Sequence, residues 1–308
     1  MSNVILIAGL PASGKSTASK RYSTFTRLNR DTEGGKVIDL LPKFEALLRD
    51  NKDIVLDNTY VTAESRKPFV EMAKKHKAKI ECRYMSSTKE DAIFNAAYRI
   101  ITKHNKLLEP EEIKKIKDPN TFPINVIWSM AKLWQKPDMS EGYNAVSEIK
   151  FQRQLPADWC NKALILDYDG TLRVTGSGEV YPKSPNDVIV LKGRERKLKE
   201  FKDDEYHLLG VSNQSGVASG HLTKEDATKC FEQTNKLLKH KIDYHFCPHR
   251  SSPPSCYCRK PQPGFGIYLM HKYKLNPAEC IFVGDMTSDK TFATRCGFQF
   301  RWASEFFE

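Results

Sequence analysis

The sequence predicts an α/β protein built from two doubly wound parallel-sheet domains. Short apolar runs alternate with helix-period segments twice over, once in each half of the chain. The run at 4–8 leads straight into Gly9-Leu-Pro-Ala-Ser-Gly14-Lys15-Ser16, and the run at 163–166 leads straight into Asp167-Tyr-Asp169-Gly170-Thr171. Both are chemically loaded turns at the carboxyl end of a strand, where sheets of this class hold their ligands. The length of 308 residues suits about two domains, and 40% apolar with 28% charged residues is a globular balance.

In the first half, residues 4–8 are apolar throughout, as a parallel strand buried on both faces requires. A helix opens at Gly14. Apolar residues at 38, 40, 41, 44, 47 and 48 form a helical stripe over 38–49. Strands are expected at 53–56 and 79–85, and helices at 90–103 and 123–134. The charged stretch 106–118 between those helices reads as a mobile lid. Residues 137–161 carry Pro, Gly and Ser without a period and read as a linker between a domain at 1–136 and one at 162–308. The second half has strands at 163–166, 207–211, 244–247 and 280–283, with helices between them.

The net charge is +11. Residues 1–155 hold 27 Lys/Arg against 19 Asp/Glu, a net of +8, and the remainder nets +3. The basic excess of the first half favours a polyanionic partner such as nucleic acid over a plain solvated surface. No apolar stretch approaches the ~20 residues of a membrane span, so no membrane association is expected. The run at 4–10 is short, has no basic region before it and is expected to be a core strand, not a leader. Eight scattered cysteines suit a reducing compartment, cytoplasmic or, in a eukaryote, nuclear.

The turn after the first strand fits the phosphate loop G-x-x-x-x-G-K-[ST] in its strand–loop–helix context. Its residues Gly9, Ser13, Gly14, Lys15, Ser16 and Thr17 are the expected ATP site. Glycines let amide N–H groups face phosphate oxygens, and the helix start adds partial positive charge. Lys15 is placed to reach the β- and γ-phosphates, and Ser16 to hold Mg²⁺. A phosphoryl transfer also needs a base for the acceptor hydroxyl. Asp31, in Asn29-Arg30-Asp31, is the candidate, with Arg30 beside it. Asp57 and Asn58 end a strand at the same sheet edge and are candidate acceptor contacts, against the plainer reading of a strand-end turn. Arg66 and Arg99 are candidates to meet phosphate charge.

In the second half, two carboxylates two residues apart at a strand end can both face one phosphorus. Asp167 suits the nucleophile that forms an aspartyl-phosphate. Asp169 suits the acid that protonates the leaving oxygen and then activates water. Mg²⁺ is expected at Asp167, Asp169, Asp285 and Asp289. Ser212 and Asn213 are placed to hydrogen-bond the phosphoryl oxygens. Arg259-Lys260-Pro261 offers cations, with Lys260 the one for the phosphoaspartate and Arg259 for substrate. Cys247, His249, Cys256 and Cys258 supply four soft ligands within twelve residues, a set suited to a structural, tetrahedral Zn²⁺, with Arg-Ser-Ser-Pro-Pro-Ser as the loop between them.

The order of Gly9–Ser16, Asn29-Arg30-Asp31, Asp57-Asn58-Thr59 and the run at 122–130 resembles the phage polynucleotide kinase/phosphatase family. The motif Asp167-x-Asp169-Gly-Thr resembles the haloacid dehalogenase phosphatase superfamily, and the Cys/His loop looks like that of the D,D-heptose 1,7-bisphosphate phosphatases. The first resemblance implies Lys15 and Ser16 at ATP and Mg²⁺, Asp31 as general base and Arg99 as a lid arginine. The sequence departs from the phage pattern after Asp31, where Thr32-Glu-Gly-Gly35 stands in place of an acceptor-clamping arginine and Lys36 is the nearest cation. The implied activity is healing of DNA or RNA ends, by 5′-hydroxyl phosphorylation with ATP and 3′-phosphate removal, upstream of a ligase. Short gaps between the phosphatase motifs leave no room for a large cap, as an open polynucleotide site requires. The alternative is a small-molecule kinase fused to a sugar-phosphate phosphatase. A nucleic-acid-binding regulator with inactive folds is disfavoured, because the residues expected to act are all in place.

Overall fold

The computed structural model describes residues 1–252 and 255–308. Its first half contains β1 (Asn3–Ala8), α1 (Lys15–Ser19), β2 (Thr26–Leu28), α2 (Arg30–Glu33), α3 (Leu41–Arg49), β3 (Ile54–Asp57), α4 (Ala63–Lys75), β4 (Lys79–Met85), α5 (Lys89–His104), α6 (Pro110–Lys115), α7 (Ile124–Leu133) and β5 (Ala145–Ile149). The second contains β6 (Ala163–Leu166), β7 (Arg173–Thr175), β8 (Val188–Val190), α8 (Arg194–Asp203), β9 (His207–Asn213), α9 (Ser215–Ala218), α10 (Lys224–Leu238), β10 (Asp243–Cys247), α11 (Gly264–Tyr273), β11 (Ile281–Gly284), α12 (Thr287–Cys296), β12 (Gln299–Trp302) and α13 (Ala303–Phe306).

Two five-stranded sheets result, ordered β2-β3-β1-β4-β5 and β10-β9-β6-β11-β12. Every neighbouring pair in both is parallel. The strand that precedes each loaded turn, β1 or β6, is the central one. The turn therefore opens where the strand order reverses, at the crevice such sheets use for ligands. In β1, Val4, Leu6 and Ala8 pack into one apolar layer with Leu56 and Ile80, while Ile5 and Ile7 pack into another with Val55 and Met85. Burial on both faces explains why this strand reads as an unbroken apolar run. Leu164 and Leu166 of β6 pack likewise with Leu208, Phe231 and Val283.

The chain divides into two compact units, one of Met1–Ala96 with Lys117–Gln154, the other of Ala97–Ile116 with Leu155–Glu308. This differs from the expected boundaries in two ways. The segment read as a linker is structured: β5 extends the first sheet beside β4, with Cys82 opposite Val146. Its alternation is weak because an edge strand buries little, which is why it read as loop. The stretch read as a mobile lid carries α6 and belongs to the second unit.

The helix expected over 38–49 is broken. A 3₁₀ turn over Val37–Leu40 precedes α3, and Pro42 stands in the first turn of α3. Proline has no N–H to offer the carbonyl of residue 38, so the α pattern starts afresh there. The β7–β8 hairpin and the edge strands β2 and β12 lacked any expectation, each being only three or four residues long. Among the described residues, no helix is long and apolar enough to cross a membrane.

Candidate active sites

In the first unit, Gly14 has φ +97 and starts α1, whose Thr17 and Ala18 amides donate to the Gly14 carbonyl. A Cβ at Gly9 would lie 2.8 Å from Ser13 Oγ, so the loop closes only around glycine. Lys15 Nζ folds back onto the loop, donating to the Gly9 and Leu10 carbonyls at 3.0 and 2.6 Å. Ser16 and Thr17 are exposed at the start of α1, and Ser13 is buried with no partner for its hydroxyl.

The end of β3 is wired to this loop. Asp57 is buried, and its Oδ2 accepts from Ser19 Oγ of α1 at 3.2 Å and from the Arg27 guanidinium. Its Oδ1 is buried and has no partner. Asn58 accepts from the Arg30 amide at 2.8 Å and donates to Tyr60 Oη at 3.1 Å. Asn29 donates to the Asp57 carbonyl and accepts from the Asp31 amide at 2.7 Å, capping α2. Asp31 is exposed, with one oxygen on the Arg30 guanidinium at 2.8 Å. The expected base, the Asp57-Asn58 pair and the loop helix are thus one hydrogen-bonded assembly. Arg27 escaped sequence reasoning, since nothing marks an arginine in a three-residue strand as the partner of an aspartate thirty residues away.

Two expected cations stand elsewhere. Arg66 is fully buried and does not serve phosphate. Its Nε and Nη2 donate to both oxygens of Glu141 at 2.8 and 2.7 Å, and its Nη1 donates to the Tyr60 and Gln135 carbonyls at 3.0 Å. It ties α4 to the segment before β5. Replacing Arg66 with methionine is expected to lower stability by about 3 kcal/mol, since a largely buried Glu141 then has no counter-charge. Urea unfolding checks this, and a loss under about 1 kcal/mol contradicts it. Arg99 falls in the second unit, where its positive charge acts on the Tyr257 hydroxyl against the rise that burial causes.

In the second unit, Lys260 is buried and its Nζ bridges Asp167 Oδ1 at 2.7 Å and Asp289 Oδ1 at 2.8 Å. Burial alone would lower its pKa, but the two carboxylates raise it, so Lys260 stays charged. Asp167 is pushed up to about 7 by burial, with Lys260 opposing and the Asp289 and Asp169 carboxylates adding to the rise. Asp285 is also raised, by burial and then by Asp289. Oxygens of Asp167, Asp285 and Asp289 lie within 4.8 Å of one another. Three carboxylates crowded against one lysine suit a divalent cation, which would favour their ionised forms.

Asp169 does not join that trio. Its Oδ1 accepts from Arg173 Nε at 2.8 Å and its Oδ2 from Gln214 Nε2 at 2.6 Å. Arg173 is itself buried, donating to Thr234 Oγ1 at 2.9 Å and lying over the Phe231 ring. Contrary to the expected Mg²⁺ role, the Asp169 side chain has both oxygens taken by these donors and is not among the carboxylates that converge as a metal-ligand set. Arg173 and Gln214 were not singled out by sequence, although Gln214 sits inside the Ser212-Asn213 motif. A Cβ at Gly170 would lie 2.2 Å from Asp285 Oδ2, so glycine alone lets the two motifs meet. Ser212 is buried at the end of β9, 3.3 Å from Gln214 Nε2. Asn213 exchanges hydrogen bonds with the backbone of Lys260 at 3.0 and 3.1 Å, which locates that lysine. Arg259 donates through Nη1 to the His249 carbonyl at 3.2 Å, a contact to the Cys/His loop.

The four expected soft ligands converge, their ligand atoms lying within 4.8 Å of one another. Cys247 and Cys256 sulfurs are 3.7 Å apart, and His249 Nδ1 lies 3.4 Å from Cys247 Sγ and 3.2 Å from Cys258 Sγ. A tetrahedron with Zn–S of ≈ 2.3 Å has S···S edges of roughly 3.7 Å, so the set fits zinc. The thiols share protons that a cation would displace: hydrogen bonding with Cys247 pulls Cys256 down and pushes Cys258 up. Pro253 and Pro254 of the expected loop lie outside the described residues.

Residues 162–307 match the family Polynucleotide kinase 3 phosphatase. A probable D-glycero-D-manno-heptose-1,7-bisphosphate 7-phosphatase of Thermoplasma volcanium is 30% identical over 145 residues, 46% of this chain and 97% of that protein. A bifunctional polynucleotide phosphatase/kinase of Schizosaccharomyces pombe is 30% identical over 152 residues, 48% of this chain and 34% of that protein. Among solved structures, that of a Pnkp1/Rnl/Hen1 complex aligns with 98% of this chain and 96% of its own, at 15% identity and a TM-score of 0.36.

Proposed function

We propose a function from the premise that the chain belongs, through residues 162–307, to the phosphatase family of the polynucleotide kinase 3 phosphatases and the heptose-bisphosphate 7-phosphatases. The protein is a bifunctional end-healing enzyme, an ATP-dependent polynucleotide 5′-hydroxyl kinase and a 3′-phosphatase. The observation that carries this is the presence of two separate phosphate sites on one chain. One is a nucleotide loop wired to an acceptor-side aspartate; the other is a paired-aspartate and lysine site of the matched family. The Schizosaccharomyces pombe relative joins the same two activities in its name. A second reading, a small-molecule kinase with a sugar-phosphate phosphatase, is favoured by the Thermoplasma volcanium relative.

In the phosphatase half, an oxygen of Asp167 attacks phosphorus as the bond to the 3′ oxygen breaks. Asp169, held by Arg173 and Gln214, gives its proton to that oxygen. It then takes a proton from the water that attacks the aspartyl-phosphate, which releases phosphate and restores Asp167. Lys260 neutralises charge on the phosphoryl oxygens, and Ser212 and Asn213 end β9, the strand beside β6. Mg²⁺ held by Asp167, Asp285 and Asp289 supplies further charge neutralisation when bound.

In the kinase half, the backbone N–H groups of Gly14, Lys15 and Ser16 and the Lys15 side chain hold the β- and γ-phosphates of ATP. Asp31 takes the proton of the 5′ hydroxyl, whose oxygen attacks the γ-phosphorus as ADP leaves. Asp57, expected on the acceptor, is better suited to the cation side. It contacts α1 through Ser19 and keeps one buried oxygen without a partner. Ser16 and Asp57 would hold Mg²⁺, which would supply charge neutralisation for the phosphates when bound. Arg99 keeps its proposed part on the resemblance alone. Zinc at Cys247, His249, Cys256 and Cys258 has a full protein ligand set and is structural. A downstream ligase is the partner that such healed ends require.

Oligonucleotides with 5′-hydroxyl or 3′-phosphate ends, tested beside heptose 1,7-bisphosphate and a panel of sugars, separate the two readings. Oligonucleotide affinity is also expected to fall steeply with salt. A chain making three or four phosphate contacts should give a log–log slope between about −2 and −3. A sugar acceptor should give almost none. Titration with the Asp31→Ala protein from low to moderate salt checks it, and a flat response moves the assignment to the small-molecule reading.

A further inference from the structure

Residues 105–109 approach the Cys/His centre from a part of the chain that lies between two stretches of the first unit. Both ends of the interruption, at 96–97 and 116–117, lead back into that unit, while Ala97–Ile116 itself counts with the second. His249 presents Nδ1 to the sulfurs, and its other nitrogen, Nε2, lies 2.8 Å from Glu109 Oε2. A histidine that ligates a metal through one nitrogen commonly donates from the other to a carboxylate, which fixes the tautomer and strengthens the ligand. Leu107 packs with Phe265 against Cys247, Cys256 and Cys258, and a Cβ on Gly264 would lie 3.0 Å from Leu107 Cδ2. Leu108 and Ile113 are buried. Tyr98 meets Trp159 edge-on at 6.0 Å, a further tie within the same unit.

We propose that Glu109 is the outer carboxylate of this metal centre, and that metal occupancy, acting through Glu109 and Leu107, holds the 105–116 segment in place. Glu109 is a positioning residue: it touches His249 and neither substrate. The coupling has a direction. Losing the metal frees His249 to turn and removes the order of the Cys/His loop, so the segment loses the surface on which it sits. Resting on the kinase reading of the first unit, a further consequence is that phosphate transfer slows when zinc is lost, because the released segment continues into that unit at both ends.

The test uses the full chain loaded with zinc. Glu109→Ala is expected to weaken zinc binding about 10- to 100-fold in competition with a chromogenic chelator, and Glu109→Gln, which keeps an acceptor oxygen, by less. Glu111→Ala, on the exposed side of the same helix, should bind zinc like the parent. Trypsin should cut between Lys103 and Lys117 severalfold faster in Glu109→Ala protein and in chelator-stripped parent than in loaded parent, with re-added zinc restoring protection of the parent. Parental zinc affinity in Glu109→Ala overturns the assignment, as does proteolysis indifferent to zinc. Faster cutting in Glu109→Ala without weaker zinc binding also overturns it, because that marks a helix-start role alone. In the third arm, stripping zinc should lower kcat for 5′ phosphorylation severalfold and reversibly. Kinase activity indifferent to zinc overturns the coupling. A loaded parent with no kinase activity instead overturns the kinase reading and the consequence drawn from it, and the zinc and trypsin arms still decide the place of Glu109.

Discussion

Asp167→Asn is expected to lower 3′-phosphate hydrolysis by about 10³-fold or more and to leave 5′ phosphorylation within about twofold. Asparagine keeps the shape of the side chain and can still accept from Lys260, which also has Asp289 at 2.8 Å, so the fold is not at stake. The carboxylate that would carry the phosphoryl group is gone, and two of its neighbours are tied elsewhere. Asp289 is held by Lys260 and by the Met286 amide at 3.1 Å, and Asp169 by Arg173 and Gln214. Release of phosphate from a 3′-phosphate oligonucleotide is the measurement. Residual turnover above about 1% of the parent would mean that water attacks directly, without the covalent step.

The reciprocal result is expected in the other half. Lys15→Ala should reduce transfer from ATP to a 5′ hydroxyl by about 10²- to 10³-fold, since it removes the one side-chain cation of the loop. Asp31→Asn should cost a similar factor, the usual range for a lost general base being about 10²–10⁴. The two variants should separate kinetically. Lys15→Ala should weaken ATP binding as well as kcat, whereas Asp31→Asn should lower kcat and leave the KM for ATP alone. Both should keep parental 3′-phosphatase activity. If Lys15→Ala protein that is folded by circular dichroism also loses that activity, the two sites are not independent.

The central strands and the residues that follow them were legible because chemistry and topology coincide there. An apolar run buried on both faces announces itself, and the next residues must be the turn at the sheet's switch point. Asp285, which directly follows β11, was legible for the same reason, and Lys260 and Asp289 through the short motifs they belong to. What sequence could not deliver were the residues that hold those residues. Arg173 and Arg27 are arginines like many others until the fold closes around them. Arg66 misled in the opposite direction: it stands in sequence as a candidate to meet phosphate charge, because a buried, doubly paired guanidinium looks the same there as an exposed one. The 137–161 segment failed because an edge strand needs neither alternation nor bulk.

The interrupted first unit also sets a timetable for synthesis. Its fifth strand ends at residue 149, so the ribosome has delivered everything its sheet needs when barely half of the chain exists. Yet Leu107 and Glu109 meet their partners at the Cys/His loop only after Cys256, Cys258 and Phe265 have emerged. At roughly 5–20 residues per second, that is a wait on the order of ten seconds. During that interval Leu107 is an apolar side chain without the residues it packs against. A nascent chain arrested near residue 200 should thus bind chaperones through this stretch and shed them once residue 265 clears the exit tunnel.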